Sequence, residues 1–231
     1  MLQQKFSRDQ IATSIAILFH TIGVVGIVLF QSSLIVECTS VNLLLSFVLL
    51  FWAMPEKNMR FIFFTLAAFF VGLFIEILGV NTGLVFGDYS YGTVLGPQLY
   101  GVPLLIGLNW FIIVCCCGCF IHQLMEKLIK KLPTEVASPS KWMNTLTIII
   151  DGATLMVAFD WLMEPVALKL GFWKWHGNGD IPFYNYTSWF FVSIVLMALF
   201  QFCKFNKRSA FAANLLLIQA MFFLLIRTFS N

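Results

Sequence analysis

Of the eleven acidic residues in this 231-residue chain, four stand inside stretches that are otherwise almost wholly apolar: Glu76, Asp151, Asp160 and Glu164. An ionisable group in such a stretch is costly, so each is first a candidate for function. Asp160 and Glu164 are four residues apart, one turn along a single helix face. Asp151, nine residues before Asp160, falls on nearly the opposite face beside Thr147 and Thr154, where pinning a neighbouring helix would account for it. A carboxyl group in hydrocarbon loses the hydration of its charged form, which favours the neutral acid. Such an acid in a dry pocket is suited to protonating an apolar substrate, and aromatic ring faces attract the cation that forms. The structural alternative is a set of helix–helix hydrogen bonds.

These acids need a frame, and composition points to a membrane-spanning one. Apolar residues make up 60% of the chain, aromatic residues 16% and charged residues 11%, with a mean hydropathy of +0.89. Soluble domains run near one half apolar and about one quarter charged, so a water-soluble fold could not cover this much apolar surface. At about 1.5 Å per residue, seven stretches are long enough to cross hydrocarbon: 11–30, 38–54, 61–80, 103–125, 145–167, 187–203 and 210–229. The expected fold is all-α, a polytopic membrane protein with a bundle of about seven transmembrane helices, residues 1–231 forming a single transmembrane domain. The first apolar run is too long for a signal-peptide core and no small-residue cleavage site follows, so it reads as a retained span.

Lys5, Arg8, Lys57, Arg60, Lys127, Lys130, Lys131, Lys141, Lys204, Lys207 and Arg208 fall on one side of this topology, and only Lys169, Lys174 and Arg227 on the other. That bias places the N-terminus in the cytoplasm, in a multi-pass protein of a bacterial inner membrane. The net charge of +3 is scattered over short loops, which argues against nucleic acid as a partner. Counted from Phe61 and from Thr145, Glu76 and Asp160 both lie 15 residues up their spans, at about 22 Å. Two helices therefore bring carboxyl groups to one depth in the outer part of the bilayer.

Two loops lie on that same outer side. Residues 81–102 hold five glycines and three tyrosines with no basic residue, and residues 169–186 are rich in aromatics, Gly and Asn. Loops of this kind fold back as lids over sites. Candidate pocket residues are Asp88, Tyr89 and Tyr91 from the first loop, Trp173, Trp175 and His176 from the second, Asn185 just after it, and Asn109 and Trp110 near the outer end of the fourth span. Tyr100 and Phe172 read as members of an aromatic belt at the interface. His20 reads as a packed, hydrogen-bonded residue, and Asn214 and Gln219 as hydrogen-bonding groups between helices. Cys115, Cys116, Cys117 and Cys119 share one apolar stretch and read as small hydrophobes, with no metal site.

The stretch Glu76-Ile77-Leu78-Gly79-Val80-Asn81-Thr82-Gly83, followed by Phe86-Gly87-Asp88-Tyr89-Ser90-Tyr91, Leu95-Gly96-Pro97 and Gly101-Val102-Pro103-Leu104, resembles the membrane-integral carotenoid hydratases that act on acyclic end groups. These are of the gamma-carotene hydratase and bisanhydrobacterioruberin hydratase type. A second block agrees in order: Asp160, Glu164-Pro165, Gly171-Phe172-Trp173-Lys174-Trp175, Ile181-Pro182, Asn185-Tyr186 and Trp189. The family pattern has Pro before the Phe-Gly pair, where this chain has Val85, a departure that touches turn rigidity and removes no acid. The resemblance implies a carotenoid biosynthesis enzyme, a hydro-lyase that hydrates the terminal C=C of an acyclic end group. One of Glu76, Asp160 and Glu164 would protonate the alkene to a tertiary cation, another would position the water that captures it, and no cofactor would be needed. The implied partners are a lycopene- or gamma-carotene-like carotenoid and the lipid bilayer, with a homo-oligomer or an assembly with other carotenoid enzymes compatible with both.

Two rival readings use the same acids. An end-group cyclase shares the protonation but excludes water, and a proton-coupled transporter uses acids within spans. The chain has no pair of Gly/Pro-broken helices in corresponding halves to favour a transporter. A retinal-type photoreceptor needs a Lys in the last span, and residues 210–229 contain none.

Overall fold

The computed structural model describes residues 6–131, 133 and 139–230, so Lys5 of the charge pattern lies outside the described residues. Among the described residues, seven helical segments are long and apolar enough to cross a membrane. They are α1 (Arg8–Val28), the pair α2 (Ser33–Glu37) and α3 (Thr39–Ala53), α4 (Met59–Thr82), α5 (Leu105–Lys130), α6 (Lys141–Lys169), α7 (Phe183–Phe202) and α8 (Ala210–Phe229). The second span begins at Ser33, five residues before the segment expected from apolarity. There the Ser32 hydroxyl accepts from the Ile35 N–H at 3.4 Å and caps an extra turn that carries the exposed Glu37.

Helix α5 is the axis of the bundle. It is buried almost continuously from Ile106 to Ile121 and packs against α3, α4, α6, α7 and α8. A helix apolar all round is expected to sit at such a position. Cys115, Cys116, Cys117 and Cys119 all lie in this buried stretch, and no group of His, Cys, Asp or Glu able to hold a metal occurs among the described residues. His20 is packed as expected, its Nδ1 donating to the Ala16 carbonyl at 2.8 Å and its ring edge-on to Phe222. Asn214 does bridge helices, donating to the Thr13 hydroxyl at 3.1 Å.

Helix α6 carries Pro165, which has no N–H to give to the Trp161 carbonyl one turn earlier. The Arg227 guanidinium from the last turn of α8 fills that vacancy at 3.4 Å, and lies 4.4 Å above the Trp161 ring. The helix thus continues through the proline to Lys169, holding Asp160 and Glu164 on its inner face.

Between the helices at one end of the bundle, the two long loops pair. Strand β1 (Tyr89–Tyr91) runs antiparallel to β4 (Trp173–Trp175), with Tyr89 opposite Trp175, Ser90 opposite Lys174 and Tyr91 opposite Trp173. A tight hairpin of β2 (Gln98–Leu99) and β3 (Val102–Pro103) sits beside them, and Asn81 at the end of α4 donates to its Tyr100 carbonyl at 3.0 Å. Gly83 closes α4 in the left-handed conformation (φ 67°), which turns the chain back toward the bundle. Described basic residues concentrate at the opposite end, so the bundle has a basic end and a ribbon end.

Candidate active site

Alternate residues of a strand point to the same face. The β1–β4 register therefore turns Tyr89, Tyr91, Trp173 and Trp175 together toward the bundle, while Lys174 stays exposed. These four aromatics deliver their polar edges to two of the buried acids. Tyr89 and Tyr91 donate their hydroxyls to Glu76 Oε2 at 2.5 and 2.8 Å. Trp173 and Trp175 donate their indole N–H groups to Glu164 Oε2 at 3.0 and 3.1 Å. Burial, with Glu76 beside them, pushes both phenols up, so they remain donors.

A third donor reaches Glu76 from below: the Trp110 indole N–H meets Oε1 at 3.0 Å. Trp110 gets close enough because Gly72 faces it, where a Cβ would come within 2.4 Å of the Trp110 side chain. Trp189 from α7 stacks on Trp110, ring centres 4.1 Å apart and planes 16° from parallel. Asp160, with no exposed surface, receives one bond, from Asn185 Nδ2 to Oδ2 at 3.2 Å. Its Oδ1 is buried without a hydrogen-bond partner among the described residues. Three carboxyl groups thus share one chamber and differ in their donors: three for Glu76, two for Glu164, one for Asp160.

The chamber has about 20 Å³ of free space, room for about one water molecule. It adjoins a second, largely apolar cavity of about 260 Å³, with Ile106, Asn109, Met163 and Trp173 lining both. Phe19, Ile22 and Val41 line this larger cavity and are also exposed on the outside of the bundle, so it opens sideways between α1 and α3. A space larger than the roughly 150 Å³ that accepts a benzene ring can take the end of a hydrocarbon chain.

Glu76, Asp160, Glu164, Tyr89, Tyr91, Asn109, Trp110, Trp173, Trp175 and Asn185 all line the chamber. Asp88 and His176 do not join them. Both side chains are exposed, and the pair meets only through the backbone, the His176 N–H donating to the Asp88 carbonyl at 2.9 Å. They continue the ladder one step past Tyr89 and Trp175, and the two-residue period turns them away from the site. Asp151 is exposed on the outer face of α6, away from the chamber. Phe172 is a correction to the aromatic belt, being buried and lining the larger cavity, whereas Tyr100 is 73% exposed. Gln219 also lines that cavity and makes no side-chain hydrogen bond to another helix among the described residues, its Oε1 being buried without a partner there. Trp189, Phe86, Ile106 and Met163 are chamber residues not singled out by chemistry. Trp189 had a signal: it follows Asn185 by four residues on one helix face.

No solved structure matches the chain. Bisanhydrobacterioruberin hydratase from Haloarcula japonica is 31% identical over 134 residues, which cover 55% of this chain and 40% of that protein. The chain therefore matches less than half the length of this relative. A family profile described as carotenoid biosynthesis protein matches residues 11–230, from the second turn of α1 to the end of α8 and including all three carboxyl groups, and the chain belongs to that family.

Proposed function

We propose that the protein hydrates the terminal trisubstituted C=C of an acyclic carotenoid end group by acid catalysis without a cofactor. The observation that carries this is the chamber itself: three carboxyl groups roofed by a Tyr/Trp ribbon, with space for about one water, beside a cavity open to lipid. In the reaction, the acid gives H⁺ to the less substituted alkene carbon, whose π electrons form the new C–H bond. A tertiary cation remains. A lone pair of water bonds to it, and the resulting oxonium returns a proton to a carboxylate, so the net change is addition of one water.

The donor pattern suggests the roles. A carboxyl that gives a proton needs an oxygen free of other donors and near the substrate. Asp160 fits, since Oδ1 has no partner among the described residues. Glu76, saturated by three donors, is suited to act as an acceptor-only carboxylate and to face the cation. Glu164, whose Oε1 accepts from no donor among the described residues, is suited to take the proton from water. Ring faces of Trp110 and Trp189 add cation stabilisation. The basic end is read as cytoplasmic, which puts the chamber in the outer leaflet.

The test is expression in a lycopene-producing bacterium with mass analysis of the pigments. A product heavier by one water is expected. In heavy water it should carry one deuterium next to the alcohol carbon, and labelled water should supply the hydroxyl oxygen. A new pigment of unchanged mass would mean a cyclase, and oxygen derived from O₂ would mean a hydroxylase.

A further inference from the structure

Where water and alkene can meet is set by the sizes of the two spaces. The chamber's free space of about 20 Å³ takes about one water, and the branched carbons of a trisubstituted alkene end need far more. The larger cavity, at about 260 Å³, has that room. An end group hydrated here would lie on the cavity side with the water on the chamber side, and its cation would form at the seam between them. Ile106, Asn109, Met163 and Trp173 line both spaces and make up that seam.

One seam residue has polar atoms to spare. Ile106 has none, Met163 offers a weak thioether acceptor, and the Trp173 indole gives its single N–H to Glu164 Oε2 at 3.0 Å. Asn109 is half-buried in the second turn of α5 and takes part in none of the six bonds that hold the carboxyl groups. Its side chain makes no other hydrogen bond among the described residues, so both its amide oxygen and its NH₂ can serve a molecule in the seam.

A tertiary cation at that seam has two fates. A water lone pair bonds to it and gives the alcohol, or a C–H bond on a neighbouring carbon yields its electron pair to a new C=C while the proton passes to a carboxylate. Three carboxyl groups around the chamber supply bases for the second fate, so water must be aligned in advance for the first. An amide oxygen accepts a hydrogen from water and is too weak a base to take a proton from carbon. A water that donates one hydrogen to Asn109 Oδ1 and the other to Glu164 keeps a lone pair for the cation. We propose that Asn109 holds the attacking water at the seam and thereby decides the outcome, tertiary alcohol over alkene. This inference rests on the hydration reading and names the group that directs the cation to water.

The experiment follows lycopene with the full chain in lipid nanodiscs in heavy water, at low conversion. Mass analysis counts two species: alcohol, and alkene that has gained one deuterium but no oxygen, whether the original alkene or its isomer. Asn109→Leu keeps the size of the side chain and removes the amide. It should lower the ratio of alcohol to deuterated alkene by about tenfold, the weight of one hydrogen bond. The sum of the two, which tracks protonation, should stay within a few-fold of wild type and so report a folded site. Asn109→Ala should move the ratio in the same direction, which keeps the result independent of how Leu fits. An unchanged ratio in both variants would overturn the role of Asn109 and leave hydration standing. A sum that falls as steeply as the alcohol in both would also overturn it, since Asn109 would then serve protonation or packing. A wild type that forms no alcohol would remove the hydration reading, and the role of Asn109 with it.

Discussion

At the basic end of the bundle, Phe61, Phe64, Phe111, Phe200 and Phe205 pack ring against ring at 5.2–6.1 Å between centres. At the ribbon end, Tyr89, Tyr91, Trp110, Trp173, Trp175 and Trp189 pack at least as closely, at 4.1–5.8 Å. Both regions are filled by aromatic volume, yet the first surrounds no carboxyl group and the second surrounds three. Only the second set carries O–H and N–H groups on its edges, and five of its six members direct them at Glu76 or Glu164. Lys207, whose cation lies over these rings, donates to the Cys203 carbonyl at 2.7 Å and leans over the Phe205 face at 4.6 Å, as a cation satisfied by a helix end and a ring. Shape alone packs a bundle, and polar edges on the same shapes let it hold acids.

The sharpest way to break the contrast is to remove the acids. Asp160→Asn and Glu76→Gln keep shape and reach but cannot supply an acidic proton or a full negative charge. Each should lower pigment conversion by roughly 10²–10⁴-fold, the usual weight of such catalysis, with protein level and pigment binding preserved. Full activity in both would leave Glu164→Gln as the decisive variant, and activity there too would end the site assignment.

Making the ribbon end resemble the basic end should cost less. Tyr91→Phe or Trp173→Phe removes one of several donors, so a loss of roughly ten- to a hundredfold is expected, below the 10²–10³-fold seen for a single oxyanion donor. Because burial pushes the Tyr91 phenol up, its ionisation should not shape the alkaline limb of the pH–rate profile. The Tyr91→Phe variant should therefore keep that limb, and its disappearance would show that the phenol titrates during turnover. The reciprocal change, Phe64→Tyr, puts a hydroxyl among rings that offer it no acceptor. It should lower stability by about 1–3 kcal/mol, read as a lower thermal midpoint, and leave activity within a few-fold.

The smallest effects belong outside the chamber. Replacing Cys115, Cys116, Cys117 and Cys119 together by Ala should leave activity within a few-fold, since these thiols only fill space in α5. Concerted loss of activity and of bound metal, measured by elemental analysis, would reveal a site there. Asp151→Asn, on the outer face of α6, should likewise be nearly silent in conversion assays.

The spans were legible in the sequence because hydrocarbon about 30 Å thick demands about 20 apolar residues, whatever surrounds them. Glu76, Asp160 and Glu164 were legible as candidates for the complementary reason, that a carboxyl group in such a run is costly, although the same cost also marked Asp151, which lies exposed outside the chamber. The extra turn of α2 was hidden, since a Ser32 cap and an exposed Glu37 weigh against apolarity. The two loops announced themselves by composition. Which of their residues face the acids was beyond composition, because it depends on a register between strands more than eighty positions apart. A slip of one residue in that pairing would reverse every side chain. Tyr89 and Trp175 therefore reach the chamber while their neighbours Asp88 and His176, chemically the more obvious candidates, face solvent. Gln219 makes the same point inside the membrane. The sequence fixes its polarity and its place on α8, and only the arrangement of α1, α3 and α8 decides that it borders a cavity, because contacts between distant helices determine which polar groups are paired.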